Sequence, residues 1–321
     1  MDEMKLGAEQ LRSAAAGAAE CREEDGILYL SKVTAEQTEA WRRAMEWIVP
    51  NALATTGIRL DFHTDSPFVR IETAGGAKFE ILTDGLLTAQ FRPVEGDRIL
   101  ESALPEGEHR VTVVYPSHGE PGVIRSVELA DGSSFASHRT KEKLLFLGDS
   151  ITQGWNSVYD SLSFAWQVTL ARDADSVIQG IGGAVFLPDS VTDFGYRPDT
   201  VVAAWGTNDF GFYRTLGELE ERAEETFSRI RTIYAGARIL AVTPTWRRDE
   251  GGDRAMGSFA ACRETVKKAA ERTGIEVLDG YALYPHRDEF MADDVHPNDL
   301  GFSQYAAHLT EALRAGKETI C

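Results

Sequence analysis

Five short apolar runs, KLLFLGD (143–149), DSVIQG (175–180), DTVVAAWG (199–206), ARILAVTPT (237–245) and IEVLDG (275–280), each stop on Gly, Asp, Thr or Pro. Amphipathic patterns such as TLGELEERAEETFSRIRTIYAG (215–236) and AMGSFAACRETVKKAAERTG (255–274) lie between them. A near-continuous apolar strand is buried on both faces, and alternation with helices makes the sheet parallel. Right-handed crossovers then give a three-layer, doubly wound, flavodoxin-like domain with its site at the carboxyl ends of the strands. This pattern confines the second half of the chain more tightly than any other feature does.

The first half follows other rules. GIRLDFHT (57–64), FVRIETA (68–74), HRVTVVYP (109–116) and VIRSVELA (123–130) are β-branched and aromatic runs in partial alternation, parted by turn compositions such as PEGE (105–108) and DGSS (131–134). Strands at this spacing predict an all-β sandwich or jelly roll. TAEQTEAWRRAMEWIVPNA (34–52), just ahead of them, predicts a short helix or covering segment. With 321 residues the chain accommodates two cores, divided here into 1–140 (N-terminal segment plus β-sandwich) and 141–321 (α/β).

Charge narrows the partners. Lys and Arg number 33 against 51 Asp and Glu, a formal net charge of −18. Such a chain is not built to bind nucleic acid, which needs clustered cations, nor an anionic membrane surface. Three scattered cysteines, Cys21, Cys262 and Cys321, have no C-x-x-C spacing and predict neither a disulfide framework nor a zinc site. The start of the chain lacks a basic stretch followed by an apolar core, so no secretion signal is read and a cytoplasmic location is expected. No metal or organic cofactor is expected. Exposed strand edges in the first half leave homo-oligomers open.

Ser150 ends the first apolar run of the second half, where a serine can be displayed to solvent. A serine hydroxyl is a weak nucleophile without a neighbouring base. His296, in MADDVHPNDLGF (291–302), supplies one, and Asp293 three residues earlier can hold the far ring nitrogen. Asn208 in WGTNDF (205–210) and Gly180 in IQGIGGAVF (178–186) follow two other strands. With the Ser150 N–H they make a three-donor oxyanion hole, although Gly182 is an alternative donor within the same block. Asp149, Asp209 and Asp294 read as structural or solvated acids. Trp155 and Trp246 are candidates to line the substrate cleft, stacking a ring.

Four blocks, GDSIT (148–152), GIGG (180–183), GTND (206–209) and DDVHPN (293–298), resemble the signature blocks of the SGNH, or GDSL-type, hydrolase superfamily. The first half resembles the jelly-roll domain that precedes the SGNH domain in carbohydrate esterase family two. The resemblance implies a serine esterase in which Ser150 is the nucleophile, His296 the general base and acid, Asp293 the orienting acid, and Gly180 and Asn208 the oxyanion donors. It also implies a small acyl-ester substrate, foremost an acetylated mono- or oligosaccharide. A lipid, aryl or thioester substrate is the rival enzymatic reading, and a non-catalytic carbohydrate-binding protein the rival from another class.

Overall fold

The structure is a computed structural model that describes residues 3–76, 78–91 and 98–318, so Cys321 lies outside the described residues. Its contacts divide the chain into two compact units. Met1–Thr34 joins Leu53–Thr140, and Ala35–Ala52 joins Lys141–Cys321.

In the first unit, Phe68–Gly75 buries every second residue over its first six, Val69, Ile71 and Thr73 pointing inward, as a strand with one covered face must. It pairs antiparallel with Val123–Ala130 and Ile99–Ala103, and Glu3–Lys5 completes a four-stranded sheet. A second antiparallel sheet is ordered Ala136–Ser137, Arg59–Thr64, His109–Val114, Phe79–Thr83, Leu86–Phe91, with Ala15–Ala16 also paired to Arg59–Thr64. Val69, Ile71 and Leu129 from one sheet share a core with Phe62, Ile81 and Val113 from the other. That is a β-sandwich. The structure adds elements that the alternation pattern did not reveal: a helix at Ala8–Ala14 and a hairpin of Glu20–Glu24 with Ile27–Ser31.

The second unit is built on a parallel sheet of β1 (Glu142–Gly148), β2 (Ala174–Gly180), β3 (Thr200–Ala204), β4 (Arg238–Val242) and β5 (Glu276–Leu278), in the order β2-β1-β3-β4-β5. This is the doubly wound, flavodoxin-like order, in which the chain reverses direction across the sheet beside β1. Helices α1 (Phe164–Arg172) and α4 (Asp299–Glu318) pack together, as do α2 (Leu216–Ile233) and α3 (Phe259–Arg272), giving the two outer layers. A reciprocal box of Thr215 and Glu218 starts α2 by satisfying backbone N–H groups that a helix end leaves open.

The segment expected as a helix ahead of the strands does form one, at Ala35–Met45, but it groups with the α/β unit rather than with the 1–140 portion. Gln37 fastens it there. Its amide donates to Gln179 Oε1 at 3.0 Å and to the Ser190 carbonyl at 2.9 Å. No helix among the described residues is long and apolar enough to cross a membrane.

Candidate active site

β1 ends at Gly148, where any side chain would collide with Thr152 and crowd the Ala204 carbonyl. Asp149 then turns the chain: its backbone is extended and its carboxylate accepts the Ile151 N–H at 2.9 Å. That is an N-cap, and Ser150 becomes the first residue of the helical turn Ser150–Gln153. The fold therefore sets the serine at the carboxyl end of the strand beside the topological switch.

Ser150 Oγ lies 2.8 Å from His296 Nε2, and His296 Nδ1 lies 2.9 Å from Asp293 Oδ2. An ionised carboxylate only accepts, so the neutral ring carries its hydrogen on Nδ1 and presents Nε2 as the acceptor for the serine hydroxyl. Asp293 Oδ1 is fixed by the N–H groups of Val295 at 2.8 Å and His296 at 2.7 Å. Partial burial acts to raise the Asp293 carboxyl, but these two N–H groups and the imidazole outweigh it and hold the group below the ordinary carboxylate range. The acid stays charged. Asp294 faces away, in an ion pair with Arg248 at 3.1 Å.

Asn208 follows β3, and its side-chain amide donates to the Ala184 carbonyl at 3.0 Å. One amide hydrogen is so used to lock the side chain to the glycine block, and the amide has a second. Gly180 ends β2 directly beside the turn that carries Ser150, and a Cβ there would collide with the backbone of Thr152 and Gln153. Gly182 N–H, the alternative donor considered from the sequence, is donated to Gln153 Oε1 at 2.6 Å. Trp155 lies beside His296, ring centres 6.4 Å apart, whereas Trp246 stacks on His286 at 5.4 Å.

Several residues around this cluster had no motif to mark them. Asn156 sits in the left-handed region at φ 71°, where Asn is tolerated better than most residues, and donates to Asp293 Oδ2 at 2.6 Å. Arg247 is 5% exposed, donates to the Thr207 carbonyl at 3.0 Å, and lies over the Phe210 and Phe259 rings, bracing the loop that holds Asn208. Asn51, from the early helical segment, donates to the Gly182 carbonyl at 3.0 Å. Asp209, the last residue of the GTND block and read from the sequence as a structural acid, accepts the Phe186 N–H at 2.9 Å, tying the Asn208 loop to the chain beyond the glycine block. Among the described residues, no group of three or more His, Cys, Asp or Glu side chains is placed to hold a metal ion.

The fold has solved counterparts along its full length. A salicylyl-acyltransferase from a tetracycline biosynthetic pathway superposes with a TM-score of 0.80 at 18% identity, over 99% of this chain and 98% of that one. A family two carbohydrate esterase from Cellvibrio japonicus gives 0.71 at 16% identity, over 98% of each chain. A carbohydrate esterase family 2 enzyme from Corynascus thermopiles (Myceliophthora fergusii) gives 0.64 at 18%, over 82% of this chain and 94% of that one. None of the curated proteins matches the sequence. Residues 146–303 match the GDSL-like Lipase/Acylhydrolase family, and with the four blocks in their expected places on the parallel sheet, the α/β unit is a GDSL-like lipase/acylhydrolase domain.

Proposed function

We propose that the protein is a serine ester hydrolase that removes small acyl groups, acetyl foremost, from mono- or oligosaccharides. The observation that carries this reading is the hydrogen-bonded chain from Ser150 Oγ through His296 to Asp293. His296 Nε2 takes the serine proton as Oγ attacks the ester carbonyl, and Asp293 stabilises the imidazolium that forms. The Ser150 N–H and the Asn208 amide receive the negative oxygen of the tetrahedral intermediate, with Gly180 N–H as the third donor in this reading. His296 passes its proton to the departing sugar oxygen. It then activates water, which releases the carboxylic acid from Ser150. Proton transfers are confined to groups on this chain, and the mechanism calls for no cofactor.

The sugar ester is favoured by the fold shared with family two carbohydrate esterases along the whole chain. Likeness to a salicylyl-acyltransferase favours a second reading, in which the same acyl-enzyme is cleared by a hydroxyl other than that of water. Acetate release from peracetylated xylose and acetylated xylo-oligosaccharides tests the first. Wild type should release acetate, and Ser150→Ala should lose the activity by roughly four orders of magnitude or more with its unfolding midpoint unchanged. Cleavage of nitrophenyl acetate without acetate from the sugars would leave the esterase and remove the carbohydrate. Retained activity in Ser150→Ala would remove the nucleophile.

A further inference from the structure

The segment of residues 46–52 carries the largest exposed apolar side chain of the α/β unit, Trp47, 67% open to solvent. An indole left in water forgoes a burial gain of a few kcal/mol, and the neighbouring Ile48 is fully buried, so the segment had the means to cover its apolar groups. The place where Trp47 stands is the glycine block. A side chain on Gly183 would collide with the Trp47 ring and crowd Ile48, and one on Gly182 would meet the Asn51 amide at 2.8 Å. Gly183 also has a φ of 87°, a conformation that a residue with a Cβ adopts only under strain. Asn51 clamps the contact from the other side by its bond to the Gly182 carbonyl.

The two glycines therefore admit the indole directly onto the backbone of the loop, and that loop is bonded on both flanks to the candidate machinery. Gly182 N–H goes to Gln153, in the helical turn that Ser150 opens, and the Ala184 carbonyl receives Asn208. We propose that Trp47 is a specificity-determining wall of the substrate site: its exposed face stacks against the ring of the esterified sugar while the ester group lies at Ser150. The proposal rests on the esterase reading above and deepens it by naming what holds the alcohol side of the substrate. A flat, rigid indole loses little entropy on stacking, and its apolar face suits the C–H face of a pyranose.

The test compares a ring ester, methyl xyloside acetylated on one hydroxyl, with ethyl acetate, which has no ring to stack. In Trp47→Ala the ratio of kcat/KM for the xyloside over ethyl acetate should fall about tenfold, through KM rather than kcat, and Trp47→Phe should restore most of it. An unchanged ratio overturns the proposal, and so does a loss shared equally by both esters, since that would make the indole a support for the loop. A second measurement stands apart from turnover. Titrating wild type with methyl xyloside should change indole emission, and Trp47→Phe should lose that change. If no ester is hydrolysed but this signal appears, the esterase reading fails and the wall stands; esters hydrolysed without the signal sink the wall alone.

Discussion

Asp61 of the sandwich and Asp149 and Asp209 of the α/β unit are buried in opposite ways. In the sandwich, Asp61 is almost wholly enclosed, yet Arg110 grips it at 2.8 and 2.7 Å and Arg59 stands at 3.4 Å. Burial acts to raise that carboxyl, and the two guanidinium groups more than cancel it, so the group is held below its ordinary range. In the α/β unit, Asp149 and Asp209 are equally enclosed but accept from backbone N–H groups rather than side-chain cations. Burial pushes both up to about 7, and the charge of Asp149 further raises Asp209, whose Oδ2 has no hydrogen-bond partner among the described residues. Asp61, a charge of the sandwich, arrives with its counter-charges. The carboxyls that shape the turns holding Ser150 and Asn208 are met by backbone N–H groups instead, with Arg247 acting on Asp149 through space without bonding it.

Three variants probe this contrast. The largest effect belongs to Asp293, a carboxylate of the α/β unit that is half-exposed and so costs little to ionise. Asp293→Asn should lower kcat about 10⁴-fold by disturbing the imidazole tautomer, while moving unfolding free energy in urea by less than about 1 kcal/mol. A collapse of stability instead would mean that the loop acid is structural, like those of the sandwich. Next comes Arg110→Met, which leaves Asp61 enclosed with Arg59 as its remaining guanidinium. Urea unfolding at neutral pH should show a loss of about 3 kcal/mol, and a loss near zero would deny that the sandwich depends on its pairing.

The smallest effect concerns pH. A carboxyl raised in the folded state binds its proton more tightly there than in the unfolded chain, so its contribution to stability is present at low pH and fades as pH rises. For Asp149 and Asp209 that decline runs from the ordinary carboxylate range to just above 7, with a slope of at most about 1.4 kcal/mol per pH unit for each group. Asp209→Asn should flatten the pH dependence of the urea midpoint across that window. An identical slope in wild type and variant would show Asp209 to be ionised and compensated in a way that the sandwich comparison does not allow.

What the sequence disclosed divides along the same boundary. Runs such as LLFLGD and VVAAWG are legible because a central parallel strand must be apolar throughout and must stop where the site begins. From them the strands of the α/β sheet and the positions of Ser150 and Asn208 could be read before any coordinates. The sandwich strands showed through alternation, but alternation says nothing about which strand pairs with which, and Glu3–Lys5 beside Val123–Ala130 carried no local mark at all. Residues that support the site were hidden for a related reason. Asn156 and Gln153 look like ordinary polar residues of a helix end, and Arg247 like one more arginine, until the folded chain gives each a carboxylate, an N–H or a carbonyl to meet. Trp47 and Asn51 were out of reach altogether, because they meet the glycine block only through contacts spanning more than a hundred residues.

That long reach has a consequence for how the chain is made. Helix Ala35–Met45 and the residues up to Ala52 leave the ribosome well before β1, which begins at Glu142, and before the glycine block at 180–183 that they will rest on. Domains ordinarily fold as units in the order of their synthesis. Here the sandwich can close on the nascent chain while the segment between its two parts, an apolar-faced helix ending in a bare indole, waits without its sheet. For that interval the molecule exposes an element it cannot yet bury, and a holding chaperone or a slow stretch of translation between residues 52 and 140 would act on that helix before the rest of the α/β unit exists.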